Sequence, residues 1–369
     1  MSVTKVLQVT QYLNIGGQET VIIELSKNLV KLGYDVEVLC LCGLDPDYAK
    51  ELEEYNIPVY VIQKKHKWDL GFFVRVARFI RENNFHIVHA HSGCFLYSAI
   101  FSKLAAVRKT IFTAHGMPVD MSWKAHIEDI VAGLLIDCVV SVSHEIELFI
   151  RKWLLFKRPL FRTIINGVDT DKFQPISDTK KKKQLLSKYG LPGNRTLIGS
   201  VGRIEAVKNY GMLLKAFALF VTENGNGHLV LVGEGSQEEE LVNLAEHLKI
   251  RESITFLGMQ YDIHEILPLL TVFVLPSLTE GTSISLLESQ SCGIPAIATD
   301  VGGSSFIITS GHNGYLCTLD DYADMANKIS KIASDFELAS IFGINSRKRV
   351  DKHFSIHMMV NEYNELYKS

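Results

Sequence analysis

Short apolar runs alternate with longer amphipathic stretches along almost the whole chain. Residues 5–9 and 36–42 are apolar runs that predict strands, and residues 19–32, which end at Gly33, have the apolar spacing of an amphipathic helix. Strands that are apolar almost throughout and alternate with helices are typical of a parallel sheet covered on both faces. The same pattern predicts further strands at 59–62, 87–90, 110–114, 139–142, 163–165, 197–201, 228–232, 254–257, 272–276 and 296–299.

The alternation of strands and helices stops once, between residues 166 and 188, and then starts again. This stretch is rich in turn residues and contains the lysine run 180–183, which indicates a hinge followed by a solvated helix. We therefore predict two doubly wound parallel-sheet domains, residues 1–170 and 171–352, with a helix within 353–369 that packs back on the first. Ligands of such sheets bind beyond the carboxyl ends of the strands, so a cleft between the domains is the expected site.

Composition and charge narrow the class of protein. The chain has 369 residues, 47% of them hydrophobic, which suffices for two buried cores. A formal charge of −3 gives no basic excess for binding nucleic-acid backbones. Six scattered cysteines without a CxxC pair fit a reducing cytoplasm, and Cys40 and Cys42 lie in an apolar run that predicts buried thiols.

The sequence predicts neither a signal peptide nor a membrane-spanning helix. The amino-terminal segment predicts a first strand rather than a signal peptide. No apolar run reaches the roughly 18–20 residues that a spanning helix needs. We therefore expect a soluble protein that could still dock on a membrane surface.

The segment from Glu280 to Glu288 is the strongest chemical signal, because it follows a predicted strand and leads into a helix that begins near Ser283. Eight helical positions rotate by about 80° and span roughly 12 Å, too far for both carboxylates to act on one atom. The spacing suits a ligand lying along the helix start, where free N–H groups around residues 282–285 could hold a phosphate or sugar oxygen. The alternative is that Glu280 caps the helix and Glu288 is solvated.

Two cations, Arg203 and Lys208, follow another predicted strand. Arg203 lies directly beyond the strand end, and Lys208 is predicted to open the next helix. A planar guanidinium fork and a flexible ammonium could clamp a diphosphate at this place. The alternative is a pair of surface charges.

Glycine pairs follow several predicted strands. Gly16-Gly17 comes after the first strand and before the first helix, where the backbone can approach a ligand closely and the helix start favours an anion. A plain tight turn fits equally well. The segment is not a G-x-G-x-x-G dinucleotide fingerprint, and no Walker A sequence occurs. Gly233 and Gly302-Gly303 repeat the arrangement at other strand ends.

Three histidines end predicted strands on the expected cleft side. His89 and His91 share one strand face, so a metal pair is conceivable, but no carboxylate or third histidine at ligand spacing supports it. His115, next to Gly116, is better placed to touch a ligand. A packed, hydrogen-bonded histidine is the alternative.

Together these motifs resemble the retaining glycosyltransferases of the GT-B fold, specifically glycosyltransferase family 4. The resemblance covers nearly the whole chain and implies an α/β fold of two Rossmann-like doubly wound domains, the first binding the acceptor and the second the nucleotide-sugar donor. It runs through Gly16-Gly17, His89-Ala-His91, His115-Gly116, Asn166-Gly-Val-Asp169, Gly202-Arg203, Lys208-Asn209, Gly233-Glu-Gly235, Glu280 to Glu288 and Cys292-Gly-Ile-Pro295.

The resemblance also implies a role for each candidate residue. Arg203 and Lys208 would bind the donor diphosphate and stabilise the departing nucleotide, so no metal would be needed. Glu288 would bind the ribose hydroxyls, Glu280 would lie against the transferred sugar, and His115 would contact that sugar from the first domain. The implied catalytic residues are Glu280, His115, Arg203 and Lys208. The implied donor-binding residues are Gly16, Gly17, Arg203, Lys208, Gly233, Gly258, Glu280, Gly281, Thr282, Ser283, Ile284 and Glu288.

The implied activity is the transfer of a hexose or N-acetylhexosamine with retention of the anomeric configuration. The donor is a nucleotide sugar, which we expect to be a UDP-sugar. The acceptor is a saccharide or a lipid-linked molecule in the synthesis of envelope polysaccharide or glycolipid. We expect front-face attack, in which the departing phosphate oxygen helps take the acceptor proton, without a covalent intermediate on Glu280. The alternatives are another enzyme of this fold, such as a nucleotide-sugar epimerase or a phosphorylase, and a non-catalytic nucleotide-sugar binding protein.

Two departures bear on the sugar and the acceptor. Thr282-Ser283 replaces the aromatic-glycine or aromatic-proline pair often found in that loop of the family, which leaves the sugar open. Residues 151–162 mix five cations with bulky apolar residues, similar to the membrane-surface patches of members with lipid acceptors. An ordinary amphipathic helix is the alternative. The expected location is the cytoplasm, with a contact to the inner face of the plasma membrane left open.

Overall fold

The computed structural model describes residues 3–66, 69–117, 122–154 and 159–369. The chain divides into two compact units. Unit 1 comprises Met1–Gly167 and Ile356–Ser369, and unit 2 comprises Val168–Ser355.

In the described part of unit 1, seven strands form one sheet, and each recorded pairing is parallel. The strands are β1 (Lys5–Leu13), β2 (Asp35–Leu44), β3 (Val59–Val61), β4 (Ile87–His91), β5 (Lys109–Ala114), β6 (Cys138–Ser141) and β7 (Leu160–Thr163). Their order is β3-β2-β1-β4-β5-β6-β7. The helices between them are α1 (Gly17–Lys31), α2 (Pro46–Glu53), α3 (Gly71–Glu82), α4 (Phe95–Ala105), α5 (Trp123–Leu135) and α6 (His144–Trp153).

Unit 2 repeats this plan with six strands among its described residues, again in parallel pairs. The strands are β8 (Thr196–Val201), β9 (Gly227–Val232), β10 (Ile254–Phe256), β11 (Val272–Leu275), β12 (Ala296–Thr299) and β13 (Gly314–Cys317), in the order β10-β9-β8-β11-β12-β13. The helices are α7 (Thr179–Lys188), α8 (Tyr210–Asn224), α9 (Glu238–His247), α10 (Ile263–Ile266), α11 (Ile284–Ser291), α12 (Ser304–Ile307), α13 (Tyr322–Ser334) and α14 (Phe336–His353).

The last helix, α15 (Ile356–Lys368), packs on unit 1 although it follows unit 2 in sequence. The Tyr34 hydroxyl donates a hydrogen bond to Asn364 Oδ1 at 2.8 Å, and the Tyr367 hydroxyl lies 2.6 Å from His89 Nδ1. These contacts connect α15 to the residue before β2 and to β4.

The central strands of both sheets are buried on both faces, which is why their sequences are apolar almost throughout. Residues 6–10 of β1 and the whole of β11 are buried, as are the four residues of β12. The alternation of apolar runs and helices therefore predicts the parallel, doubly wound α/β architecture correctly. In each sheet the strand order reverses once, between β1 and β4 and between β8 and β11, and a crevice opens beyond the strand ends at such a point.

Three local expectations are wrong. The predicted strand 163–165 lies too late, since β7 is Leu160–Thr163. Cys40 is buried, but Cys42 is exposed, because β2 runs past the end of β3, whose pairing stops at Cys40. The predicted start of the first helix, residue 19, is two residues late, since α1 begins at Gly17.

Within the described ranges, no helix has the length and apolar character needed to cross a bilayer.

Candidate functional site

The loops after β8 and β11 meet at the point where the strand order of unit 2 reverses. The backbone N–H of Leu278 donates to the carbonyl of Val207 at 2.8 Å, which ties the two loops together. Each loop carries one of the candidate charges, Lys208 after β8 and Glu280 after β11.

Lys208 and Glu280 form an ion pair. Lys208 Nζ lies 2.5 Å from Glu280 Oε1, and the Ser277 hydroxyl donates to the same oxygen at 2.7 Å. The two charged side chains are only 18% and 11% exposed, so the pair is largely shielded from water. An ammonium has three donors and a carboxylate two acceptor oxygens, so this contact leaves capacity on both groups. The pair can therefore offer positive charge to a phosphate and an acceptor to a hydroxyl at one place.

The sequence had predicted that Lys208 opens the following helix, and this prediction is wrong. Lys208 precedes that helix, and from there it reaches Glu280. It ends a single 3₁₀ turn, Ala206–Lys208, and Asn209 then adopts a left-handed conformation with φ +51° before α8 begins at Tyr210. The turn directs the ammonium towards the loop after β11. Arg203 is exposed beyond β8, and the contacts seen for Lys208 and Glu280 in the described part of the chain do not include it.

Glu280 precedes α11 and does not stand on it, so the predicted helical rotation between Glu280 and Glu288 does not apply. The helix begins next to Ser283 as predicted, and Ser283 is its cap, since Ser283 Oγ accepts from the N–H of Leu286 at 3.3 Å. Both parts of the alternative for this segment are therefore wrong: Glu280 is not the cap, and Glu288, in the middle of α11, is buried rather than solvated.

Glycines let the loops at the strand ends pack backbone against backbone. A Cβ on Gly233, where φ is +131°, would lie 2.1 Å from the carbonyl oxygen of Gly202, and one on Gly302 would lie 1.8 Å from that of Glu280. The Gly233 N–H donates to the carbonyl of Gly258 at 2.8 Å. A side chain at Gly233 or Gly302 would collide with the backbone of the neighbouring loop, so glycine is required for this close packing.

The remaining candidates of unit 2 belong to the same loop as Glu280. The Gly281 carbonyl accepts from the N–H of Gly303 at 2.9 Å, which joins the loops after β11 and β12. Thr282, Ser283 and Ile284 are buried where this loop enters α11. The structure thus places Gly281 to Ile284 between the ion pair and the helix that carries Glu288.

In unit 1 the glycine pair stands at the start of α1. Gly16 is the cap residue, and its carbonyl accepts from the N–H of Thr20 at 3.0 Å, while Gly17 is the first helical residue. This pair therefore follows β1, at the place where the strand order of unit 1 reverses.

The three candidate histidines of unit 1 lie in one hydrogen-bonded chain, in which His89 and His91 are fully buried and His115 is half-buried. His115 Nε2 is 2.9 Å from His91 Nδ1, and His91 Nε2 is 2.9 Å from Gln8 Oε1. Gln8 Nε2 donates to the Tyr367 hydroxyl at 3.3 Å, and His89 lies on the other side of that hydroxyl. We call Gln8, His89, His91, His115 and Tyr367 the histidine chain.

The orientation of the Gln8 amide fixes the protons along the histidine chain. The amide oxygen accepts, so His91 carries its hydrogen on Nε2 and accepts on Nδ1 from the Nε2–H of His115. The remaining nitrogen of His115, Nδ1, is buried, has no hydrogen-bond partner among the described residues and is an acceptor. Burial lowers the pKa of His89 and of His115 to about 3, and the pKa of His91 lies well below its ordinary value for the same reason. All three are neutral near pH 7.

His89 is packed and hydrogen-bonded, since its Nε2 lies 2.7 Å from Thr113 Oγ1. In the ranges that the structure describes, no group of three or more His, Cys, Asp or Glu side chains is arranged to hold a metal ion.

Three residues of these two clusters were not predicted from the sequence: Ser277, which binds Glu280, and Gln8 and Tyr367, which belong to the histidine chain. Ser277 had a local signal, because it directly follows the predicted strand 272–276 and precedes Glu280 by three residues. Gln8 and Tyr367 are 359 residues apart, and no local pattern connects them.

The basic and apolar segment 151–162 is only partly visible, because residues 155–158 lie outside the described residues. Within the described part, Arg151 lies 4.4 Å from the centre of the Phe161 ring and pairs with Glu147, and Trp153 Nε1 donates to Asp129 Oδ2 at 2.9 Å. These contacts tie the end of α6 to its neighbours.

Comparison with known proteins gives two family matches that together span most of the chain. Residues 15–172 match the family described as Glycosyltransferase Family 4, and residues 181–349 match Glycosyl transferases group 1. The chain is 26% identical to the N-acetyl-alpha-D-glucosaminyl L-malate synthase of Bacillus anthracis, over 97% of this chain and 95% of that protein. It is also 26% identical to the UDP-Gal:alpha-D-GlcNAc-diphosphoundecaprenol alpha-1,3-galactosyltransferase of Escherichia coli, over 90% and 89% of the two chains.

A solved structure supports the fold. The Anabaena protein Alr3699/HepE, crystallised with UDP and glucose, superimposes with a TM-score of 0.87 at 20% identity, over 99% of both chains. The two parallel-sheet α/β units thus have the GT-B architecture.

Proposed function

The chain belongs to the family 4, group 1 glycosyltransferases, and we propose that it transfers a hexose or N-acetylhexosamine from a UDP-sugar to a saccharide or lipid-linked acceptor. The observation that carries this proposal is the shielded Lys208–Glu280 pair, at the reversal point of a parallel sheet whose strand ends are packed through glycines. The names of the Escherichia coli and Bacillus anthracis relatives support the donor and acceptor classes, and they favour a role in making envelope polysaccharide or glycolipid.

We assign donor binding to unit 2. Lys208 would hold the diphosphate with the N–H groups it does not give to Glu280, and exposed Arg203 would add its guanidinium fork. Glu288 would hold the ribose. The base would lie near Gly233 and Gly258, whose backbones are joined by the hydrogen bond from the Gly233 N–H to the Gly258 carbonyl.

The loop from Glu280 to Ile284 would contact the transferred sugar. Glu280 already accepts two hydrogen bonds on Oε1, from Lys208 and Ser277, which holds the carboxylate in one place and leaves Oε2 to accept from a sugar hydroxyl. The backbone amides of residues 281–284 would bind sugar and phosphate oxygens.

We assign acceptor binding to unit 1, with the functional boundary at residues 170 and 171. Gly16-Gly17, at the start of α1, would approach the donor phosphate. His115 would contact the sugar through Nδ1, which the histidine chain holds as an acceptor, so the contact would be a hydrogen bond donated by a sugar hydroxyl.

The reaction we propose retains the anomeric configuration by front-face attack. The bond between the anomeric carbon and the diphosphate oxygen breaks, and the acceptor oxygen bonds to that carbon on the same face. The acceptor proton passes to the departing phosphate oxygen, and Lys208 and Arg203 stabilise the charge on the diphosphate. In this proposal Glu280 positions the sugar and does not attack it: the ammonium and a hydroxyl hold Oε1, and Oε2 accepts from a sugar hydroxyl.

We further propose that the reaction needs no divalent metal, since Lys208 and Arg203 would neutralise the diphosphate in its place. The location we propose is the cytoplasm, with contact to the inner face of the plasma membrane.

A thermal-shift panel with UDP, GDP, ADP and their common sugar conjugates tests this function. We expect a selective rise in melting temperature with UDP and a UDP-sugar, in buffer containing EDTA, and its loss in Lys208→Met and Arg203→Ala. Lys215→Ala is the matched control, because Lys215 is an exposed lysine on α8 in the same unit.

The outcomes separate the parts of the proposal. A shift that appears only with added Mg²⁺ or Mn²⁺ would contradict metal independence and leave the donor site standing. If no nucleotide shifts the wild-type protein, the transferase assignment of this site is wrong.

A further inference from the structure

Helix α5 carries an apolar stripe on its solvent side. Trp123 is 77% exposed, and Ile127, Val131 and Leu134 are each at least 43% exposed. At 100° per residue these four side chains fall within a sector of about 80°, so they form one continuous line along the helix.

The stripe is not the face that folds the helix onto the sheet. Ala132 and Gly133 are the buried residues of α5, and Asp129 bonds to Trp153 of α6. The stripe lies on the opposite side. Four large apolar side chains that remain exposed together on one helix are uncommon on a free surface and mark a contact site.

The charges around the stripe identify the partner. Helix α5 and the helices that contact it, α4 and α6, expose four cations, Lys103, Lys124, Arg151 and Lys152, against two carboxylates, Glu128 and Glu145. The described part of this helical layer is thus positive on a chain whose formal charge is −3. An apolar stripe with Trp at one end, flanked by cations, has the composition of a helix that lies in the interface of an anionic bilayer.

We propose that the outer face of α5 is the surface by which this protein docks on an anionic lipid bilayer. Trp123, Ile127, Val131 and Leu134 enter the boundary between headgroups and acyl chains, and Leu148 on α6, which is 61% exposed, extends the apolar contact. Lys124 and the cations of α4 and α6 contact the lipid phosphates.

The biological role of this surface rests on the proposed function, in which the acceptor can be linked to a lipid. Helix α5 begins beyond the carboxyl end of β5, where His115 lies, so Trp123 is at the end of the sheet that carries the candidate residues. A bilayer against α5 would present the saccharide of a membrane-anchored acceptor at that end.

Vesicle sedimentation tests the proposal without any turnover. We expect the wild-type chain to bind vesicles of phosphatidylethanolamine and phosphatidylglycerol more tightly than vesicles of phosphatidylcholine alone. The double variant Trp123→Ser/Ile127→Ser should weaken binding by about 10- to 100-fold, because two large apolar side chains no longer leave water. Lys124→Glu should weaken binding to the anionic vesicles and leave binding to phosphatidylcholine unchanged.

Phe336→Ser is the matched control, because Phe336 is 89% exposed at the start of α14 in unit 2. It should bind vesicles like the wild type. The substituted side chains are exposed, so circular dichroism and melting temperature should not change.

Equal binding by Trp123→Ser/Ile127→Ser and wild type would overturn the proposal. The proposal would also be overturned if sedimentation velocity shows a dimer of the wild-type chain that dissociates in the double variant, because the stripe would then face a second copy. Nucleotide thermal shifts are read separately: vesicle binding without a nucleotide shift rejects the transferase assignment alone, and a nucleotide shift without vesicle binding rejects the docking surface alone.

Discussion

The most demanding test of the site is the substitution Gly302→Ala in the loop after β12. Gly302 has φ +52°, and a Cβ built on it would lie 1.8 Å from the carbonyl oxygen of Glu280 and 2.8 Å from its carbonyl carbon. Ordinary contacts of a Cβ begin at 3.4 Å, so one of the two backbones must move by about 1.5 Å. The residue displaced is the one that holds Lys208.

Two terms set the expected magnitude. A left-handed conformation costs an alanine about 1–2 kcal/mol relative to glycine. Forcing a methyl group into packed backbone adds about 1–3 kcal/mol. We therefore expect Gly302→Ala to lower the free energy of unfolding by about 2–5 kcal/mol. A displacement of this size at a catalytic loop should lower kcat/KM by about 100-fold, which corresponds to about 2.7 kcal/mol.

Gly311→Ala separates the two terms. Gly311 also has a positive φ, +80°, but a Cβ there would meet nothing within 4 Å. This control should lose only about 1–2 kcal/mol and retain activity. The assays are urea unfolding and nucleotide release from a UDP-sugar in the presence of an acceptor. If Gly302→Ala is no less stable than Gly311→Ala and equally active, the backbone contact with Glu280 does not hold the loop.

Three further predictions concern Lys208, Tyr367 and the buried histidines. Lys208→Met should lower kcat/KM by about 10²–10³-fold by removing a charge on the diphosphate, whereas Lys208→Arg should restore part of it; equal activity of the two variants and wild type in steady-state kinetics would contradict the clamp. Tyr367→Phe should lower the free energy of unfolding by about 1–3 kcal/mol, because the Gln8 amide and His89 lose a buried partner. It should also change the ¹⁵N chemical shifts of His115, because the histidine chain no longer holds that ring in one tautomer. Unchanged shifts would show that the histidine chain does not fix His115. The free energy of unfolding should be highest above pH 6.5 and fall as the pH is lowered towards 3, by up to about 1.4 kcal/mol per pH unit for each buried histidine, because the unfolded chain binds protons that the folded chain excludes; a flat profile between pH 7 and 5.5 in urea titrations would contradict this.

The sequence predicts the architecture well because parallel strands buried on both faces leave an unmistakable apolar pattern. It also identifies the loops after β1, β8 and β11 as the candidate region, since glycine, lysine and glutamate stand directly beyond apolar runs. The family matches confirm the resemblance that these motifs indicate.

What the sequence does not predict depends on backbone geometry or on distant contacts. The pairing of Lys208 with Glu280 requires the 3₁₀ turn and the left-handed Asn209, and helical periodicity would have continued α8 through both. The proton positions of the histidine chain depend on Tyr367, which follows the whole of unit 2 in sequence. The sequence does not predict the exposed stripe of α5, because its apolar spacing is that of any helix packed on a sheet. Only the structure shows which side of the helix faces water.

The return of α15 to unit 1 has a consequence for how the protein is made. Unit 2 is continuous in sequence, so all of it has been synthesised before α15 is translated. At a ribosomal rate of about 5–20 residues per second, unit 1 waits roughly 10–40 s with the polar groups of Gln8 and His89 uncovered. A chain released before α15 contains all of unit 2, whereas its first 167 residues lack the helix that covers Gln8 and His89. Nascent chains released before α15 should therefore depend on chaperones through unit 1, while unit 2 is already protected from proteases.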